Sequence, residues 1–191
     1  MQVKSVSRQY KQLLAAAKEV GAESGATECP GLVSAGAIAR RVFRQLDEAK
    51  GDQATFAKRS VQELHAKELI TQDEADQLTS LVDMGFPEGG GNAELVKKVR
   101  KHCQDMADRG NGSLSATIAD AIASALSAFE DSGMGGGKTT EALSKWGIVG
   151  GAITGALGGA VVGSAAGPVG TAIGAAVGAV VGGIIGAIMS I

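Results

Sequence analysis

Apolar residues recur at three- and four-residue steps through the first 131 positions, and each run ends at a recognisable stop. Val3, Val6, Tyr10, Leu13, Ala17 and Val20 form an alternating 3,4-spaced seam closed by Gly21, which predicts a helix over 3–20. Residues 25–31, with Pro30, read as a loop. Ser34 then caps a second helix carrying Ile38, Val42 and Leu46 on one side and Arg40, Arg41 and Arg44 elsewhere. A third helix is expected over 53–69. Thr71 and Glu74 have the spacing of a capping box, in which the threonine serves the free amides of the first turn and the glutamate reaches back. The fourth helix that they open ends near Gly85, ahead of a glycine-rich loop over 85–91. Asn92 opens a fifth, with Leu95, Val99, Cys103 and Met106 in register. Ser113 or Ser115 starts a sixth, with Ile118, Ile122, Ala125 and Phe129 on its apolar face. No alternating strand run bounded by a hairpin turn occurs, so the fold class expected is all-α.

The pattern changes after residue 145. Glycine recurs every fourth position at Gly147, Gly151, Gly155, Gly159, Gly163 and Gly167, then restarts in a new phase at Gly170, Gly174, Gly178, Gly182 and Gly186. In water this would undermine a helix, since glycine costs about 0.8–1 kcal/mol per residue relative to alanine. In lipid an unpaired backbone amide costs several kcal/mol, so helix becomes nearly obligatory, and glycine lets two backbones approach closely. Residues 146–166 and 169–190 would span about 31 and 33 Å as helices, against a hydrocarbon core of about 30 Å, with Gly167-Pro168 at the turn between them. Lys145 and Trp146 suit an interfacial anchor. The expectation is a soluble helical domain over 1–131, a glycine-rich linker over 132–145, and a two-helix glycine-zipper membrane hairpin over 146–191. The same residues admit two blander readings: a low-complexity tail, and a helical hairpin buried in a soluble protein, shielded by the preceding helices or by a carrier.

Charge sharpens this division. The 18 basic and 20 acidic residues all lie at or before Lys145, and 46 uncharged residues follow. The net charge is −2, with no continuous basic stripe, so nucleic acid is not an expected partner. The start lacks an apolar core of signal-peptide length and no lipobox precedes Cys29, so synthesis in the cytosol and secretion without a signal peptide are expected. Candidate chemistry is thin. Cys29 and Cys103 lack metal spacing, and His65 and His102 stand singly on charged helix faces. The run from Ser132 to Thr139 imitates a phosphate-binding loop but has serine where the first glycine belongs, and it follows a helical pattern. No catalytic constellation is present; neither an enzyme nor a cofactor is expected.

A signal-less helical segment followed by the two glycine runs, Gly147 to Gly167 and Gly170 to Gly186, resembles the small glycine-zipper pore-forming effectors that bacteria deliver through type VI secretion. The resemblance covers the last quarter of the chain. It implies an antibacterial toxin that oligomerises in the inner membrane of a competitor into an ion-conducting pore and dissipates the membrane potential. It also implies a membrane-embedded immunity protein in the producer and the secretion tube protein as carrier. A non-toxic membrane-anchored scaffold, such as a phage ejection or envelope protein, is the alternative from a different class.

Overall fold

The computed structural model describes residues 41, 42, 44, 52–87, 93–110, 112–131 and 141–189. The helix expected over 3–20, the loop over 25–31 and the imitation phosphate loop lie outside the described residues. Of the second expected helix, Arg41, Val42 and Arg44 are described: all three are helical, with Val42 buried and both arginines exposed.

The described residues are all-α, with no strand among them. Helix α1 (Gln53–Ala66) starts where the Asp52 side chain accepts from the Thr55 amide at 3.1 Å. It stops three residues short of the expected 69, because Glu68 takes a left-handed φ of 56°. That turn folds the end back, and the Lys67 amide donates to the Glu63 carbonyl. Helix α2 (Gln72–Gly85) carries the expected capping box: the Glu74 amide donates to Thr71 Oγ1, and the Thr71 amide donates to Glu74 Oε2 at 2.8 Å. Helix α3 (Ala93–Arg109) turns Val96, Val99, Cys103 and Met106 inward. Helix α4 (Leu114–Asp131) is capped by Ser113, whose hydroxyl accepts from the Ala116 amide at 3.2 Å. It buries Ile118, Ile122, Leu126 and Phe129.

Glu74 also ties α2 to α4, because Ser115 Oγ donates to its second carboxylate oxygen at 2.9 Å. Partial burial acts to raise the pKa of this carboxyl. Hydrogen bonds from the Thr71 backbone and from the Ser115, Thr71 and Ser113 side chains outweigh it and hold the pKa below its ordinary 4.5.

Two further helices follow: α5 (Glu141–Gly163) and α6 (Gly167–Met189), joined by a 3₁₀ turn at Ser164–Ala166. Helix α5 begins within the expected 132–145 linker, so Lys145 and Trp146 belong to its backbone; their side chains lie outside what is described. Nor is α5 set apart from the preceding helices. Ile148, Val149, Ile153 and Leu157 share one continuous core with Leu64, Leu78, Leu81, Ile118 and Ile122. Each such side chain contributes about 1.5–3 kcal/mol on burial. The four from α5 together supply roughly 6–12 kcal/mol, comparable to the 5–15 kcal/mol net stability of an ordinary domain. The bundle therefore depends on α5 for its core.

Candidate functional site

The α5–α6 pair is organised by what its glycines permit. A Cβ placed on Gly151 would meet the Gly182 carbonyl; one on Gly155 the Gly178 carbonyl; one on Gly159 the Gly174 carbonyl. Gly163 stands against Gly170 in the same way, and Gly186 against Gly147. Each four-residue advance on α5 is matched by a four-residue retreat on α6, so the helices run antiparallel in fixed register. The approach is too close for any side chain: a Cβ on Gly155 would lie 2.8 Å from the Gly182 Cα, and one on Gly159 would lie 3.0 Å from the Gly178 Cα. Both glycine ridges are thus occupied by each other within a single chain.

Gly167 continues the four-residue step in sequence but plays another part. It has φ 76°, and a Cβ there would meet nothing within 4 Å. Its role is conformational, since a left-handed backbone favours glycine. Pro168 follows in the first turn of α6, where its missing amide hydrogen is no loss. At this tip Thr171 Oγ1 donates to the Gly167 carbonyl, Ser164 Oγ donates to the Val161 carbonyl, and Lys67 Nζ donates to Ser164 Oγ at 3.0 Å. Val169, 66% exposed, is the large apolar side chain that stands out to solvent among the described residues.

Part of the remaining surface of the two helices meets the preceding helices. Two of the chain's four phenylalanines seat on glycines outside the main ridges. A Cβ on Gly183 would run into the Phe129 ring, 2.8 Å from its Cζ, and one on Gly150 would lie 3.0 Å from Phe86 Cε1. A reading confined to the four-residue stripes overlooks these contacts. The available signal is the presence of Gly150 and Gly183 in a chain with so few aromatic rings to receive. On the far side of α6, Ile173, Val177 and Val181 are half-buried against Val42, Val162 and Ile185.

The stretch Gly147–Gly186 is long and apolar enough to cross a membrane; its most apolar 18-residue window has a mean hydropathy of 1.9 and is half buried within the protein. Burial pushes the Cys103 thiol up to about 12, and this cysteine is free. His65 Nδ1 lies 3.1 Å from the Ile70 carbonyl oxygen. His102 Nε2 is buried without a partner. Among the described residues no three His, Cys, Asp or Glu side chains come together as metal ligands. No family model, curated protein or solved structure matches the chain.

Proposed function

We propose that this protein is a membrane-permeabilising toxin whose α5–α6 pair is a glycine-zipper hairpin, carried in a soluble bundle and released into a target bilayer. One observation carries the reading. A charge-free stretch apolar enough to span a membrane lies folded back on itself, its glycine backbones already in contact, and is half covered by amphipathic helices that present charge to water. Such a hairpin loses no backbone hydrogen bonds on entering hydrocarbon, because the bonds within each helix go with it. Its interhelical packing rests on close backbone approach, which needs no water to drive it. The bundle supplies solubility until a membrane offers a competing apolar environment.

In this reading, Gly147, Gly151, Gly155, Gly159, Gly163, Gly170, Gly174, Gly178, Gly182 and Gly186 hold the hairpin together, Gly167 makes its turn, and Lys145 and Trp146 mark the interface. The inserted hairpins oligomerise into an ion-conducting pore in the inner membrane of a target bacterium. The type VI tube protein serves as carrier and a membrane protein of the producer serves as immunity partner. The test is potassium release from anionic vesicles by the full chain, together with arrested growth and lost membrane potential when the protein is directed to the periplasm of a sensitive cell. A protein that binds vesicles without releasing potassium and leaves those cells polarised would be a silent membrane scaffold. One that ignores vesicles would hold α5 as an ordinary core helix.

A further inference from the structure

Between Gly147 and Gly186 the chain carries three hydroxyl side chains: Thr154, Ser164 and Thr171. The two near the tip have backbone partners, since Ser164 donates to the Val161 carbonyl at 2.7 Å and Thr171 to the Gly167 carbonyl at 2.9 Å. Thr154, in the middle of α5, is different. It is fully buried, at 0% exposure, and its Oγ1 has no hydrogen-bond partner. Such a group normally bonds back to the carbonyl four residues earlier or finds another acceptor, because an unpaired buried hydroxyl is destabilising. The soluble fold leaves this one unsatisfied.

Its place on the helix indicates the state that would satisfy it. Thr154 lies between Gly150 and Gly158, one turn away on either side, and these three make a small-residue row next to the main ridge. The main ridge is consumed by α6 and has no room for anything else. The row opposite it on α5 is Val149, Ile153, Leu157 and Val161, bulky side chains that pack in the core of the bundle and would face acyl chains once released. The row through Ile148, Ala152, Ala156 and Ala160 is wholly apolar and packed in the core. Only the Gly150–Thr154–Gly158 row combines close backbone approach with an unspent donor. In the soluble protein the Phe86 ring and the Gln53 side chain stand over Gly150 at one end of it.

We propose that the Gly150–Thr154–Gly158 row is the surface on which a second copy of this chain packs in the membrane, with the Thr154 hydroxyl donating to a glycine carbonyl of the neighbouring hairpin. The inference rests on the membrane-insertion reading above. Assembly then uses a different face from the one that closes the hairpin. Release of α5 from the bundle lifts Phe86 off Gly150 and uncovers the row, so copies assemble after insertion and not before.

The test uses the full chain in four forms: wild type, Thr154→Val, Thr154→Ser, and Thr154→Cys in a background with Cys29→Ser and Cys103→Ala. Valine keeps the shape and removes the hydroxyl, so the soluble protein should melt at the same temperature or higher. It should bind vesicles as wild type does and release potassium at least tenfold more slowly. Serine should retain release within about twofold. The cysteine variant should form a disulfide-linked dimer on vesicles and stay monomeric in solution. Ala156→Cys and Ala175→Cys in the same background serve as comparison sites. Wild-type release by Thr154→Val, or cross-linking at Ala156 or Ala175 and not at Thr154, would overturn the proposal and leave the membrane reading standing. Loss of vesicle binding by Thr154→Val would assign the hydroxyl to insertion and also overturn it. Failure of the wild type itself to bind vesicles would remove the membrane reading and this interface with it.

Discussion

Replacing Gly155 by alanine adds one methyl group in the middle of the α5–α6 contact, where it would lie 2.8 Å from the Gly182 Cα and meet the Gly178 carbonyl. Carbon atoms pack at about 3.5–4.0 Å, so the helices must part by roughly 1 Å at that level. Two effects oppose each other. Helix propensity favours alanine by about 0.8–1 kcal/mol. Overpacking against backbone, which cannot rotate aside as a side chain can, costs about 1–3 kcal/mol, and the parted ridge forfeits dispersion contacts over neighbouring turns. Sterics should win, with a net destabilisation of about 1–2 kcal/mol, lowering the melting temperature by about 2–4 °C per kcal/mol. The Gly155→Ala/Gly159→Ala double variant should cost less than the sum of its parts, because the first methyl has already separated the backbones for the second. Ala176→Gly is the control: this position is exposed on α6, and the change should cost about 0.5–1 kcal/mol from propensity alone. Denaturant unfolding followed by circular dichroism reads all four proteins. A Gly155→Ala protein more stable than wild type would mean that propensity decides and that the close contact is not present in solution.

Three other outcomes follow from the same geometry. Leu78→Ala, which opens a cavity in the shared core and leaves the sequences of α5 and α6 unchanged, should cost about 2–5 kcal/mol and speed vesicle permeabilisation, since a weaker bundle gives up its hairpin sooner; slower release would break that link. The pKa of Glu74 is depressed in the folded protein, so its contribution to stability is present above the ordinary 4.5 and lost as pH falls through the folded value. Glu74→Gln should therefore cost about 1 kcal/mol at pH 7 and progressively less under acid, as thermal melts across pH 3–7 will show; an equal cost at every pH would contradict this. In a Cys29→Ser protein Cys103, with its thiol near 12, should resist a thiol-specific reagent at pH 8 until the bundle opens, and prompt labelling in the folded protein would contradict the burial.

What could be read from the sequence divides by the range of the interactions involved. The capping box at Thr71 and Glu74 and the inward face of Val99, Cys103 and Met106 depend on contacts within a turn or two, and their spacing shows them directly. The choice between Ser113 and Ser115 as the next helix start, by contrast, is decided by the hydroxyl that meets the Ala116 amide. Nor does spacing show the end of α1, because it turns on a left-handed φ at Glu68, a residue type with no preference for that region. The division at residue 145 is plain in charge, yet charge does not reveal that Ile148, Ile153 and Leu157 complete the core of the preceding helices. That depends on which surfaces are left uncovered once the bundle has folded. For the same reason residues 1–145 alone, which by sequence look like an independent soluble domain, should bind hydrophobic dye and unfold without cooperativity. Likewise a four-residue step identifies a ridge but not the ridge it meets. The Phe86–Gly150 and Phe129–Gly183 contacts join residues more than fifty positions apart, and no local pattern announces them.

In the proposed function α5 and α6 leave the bundle together to enter a bilayer. Spin labels on cysteines at Ser124 of α4 and Ala176 of α6, both exposed, measure this in a chain whose native cysteines have been replaced. In solution the pair should give one narrow distance distribution, as expected for two packed helices. With anionic vesicles this distribution should be lost in favour of longer, broader distances, in step with potassium release. Potassium release with the solution distance unchanged would contradict it.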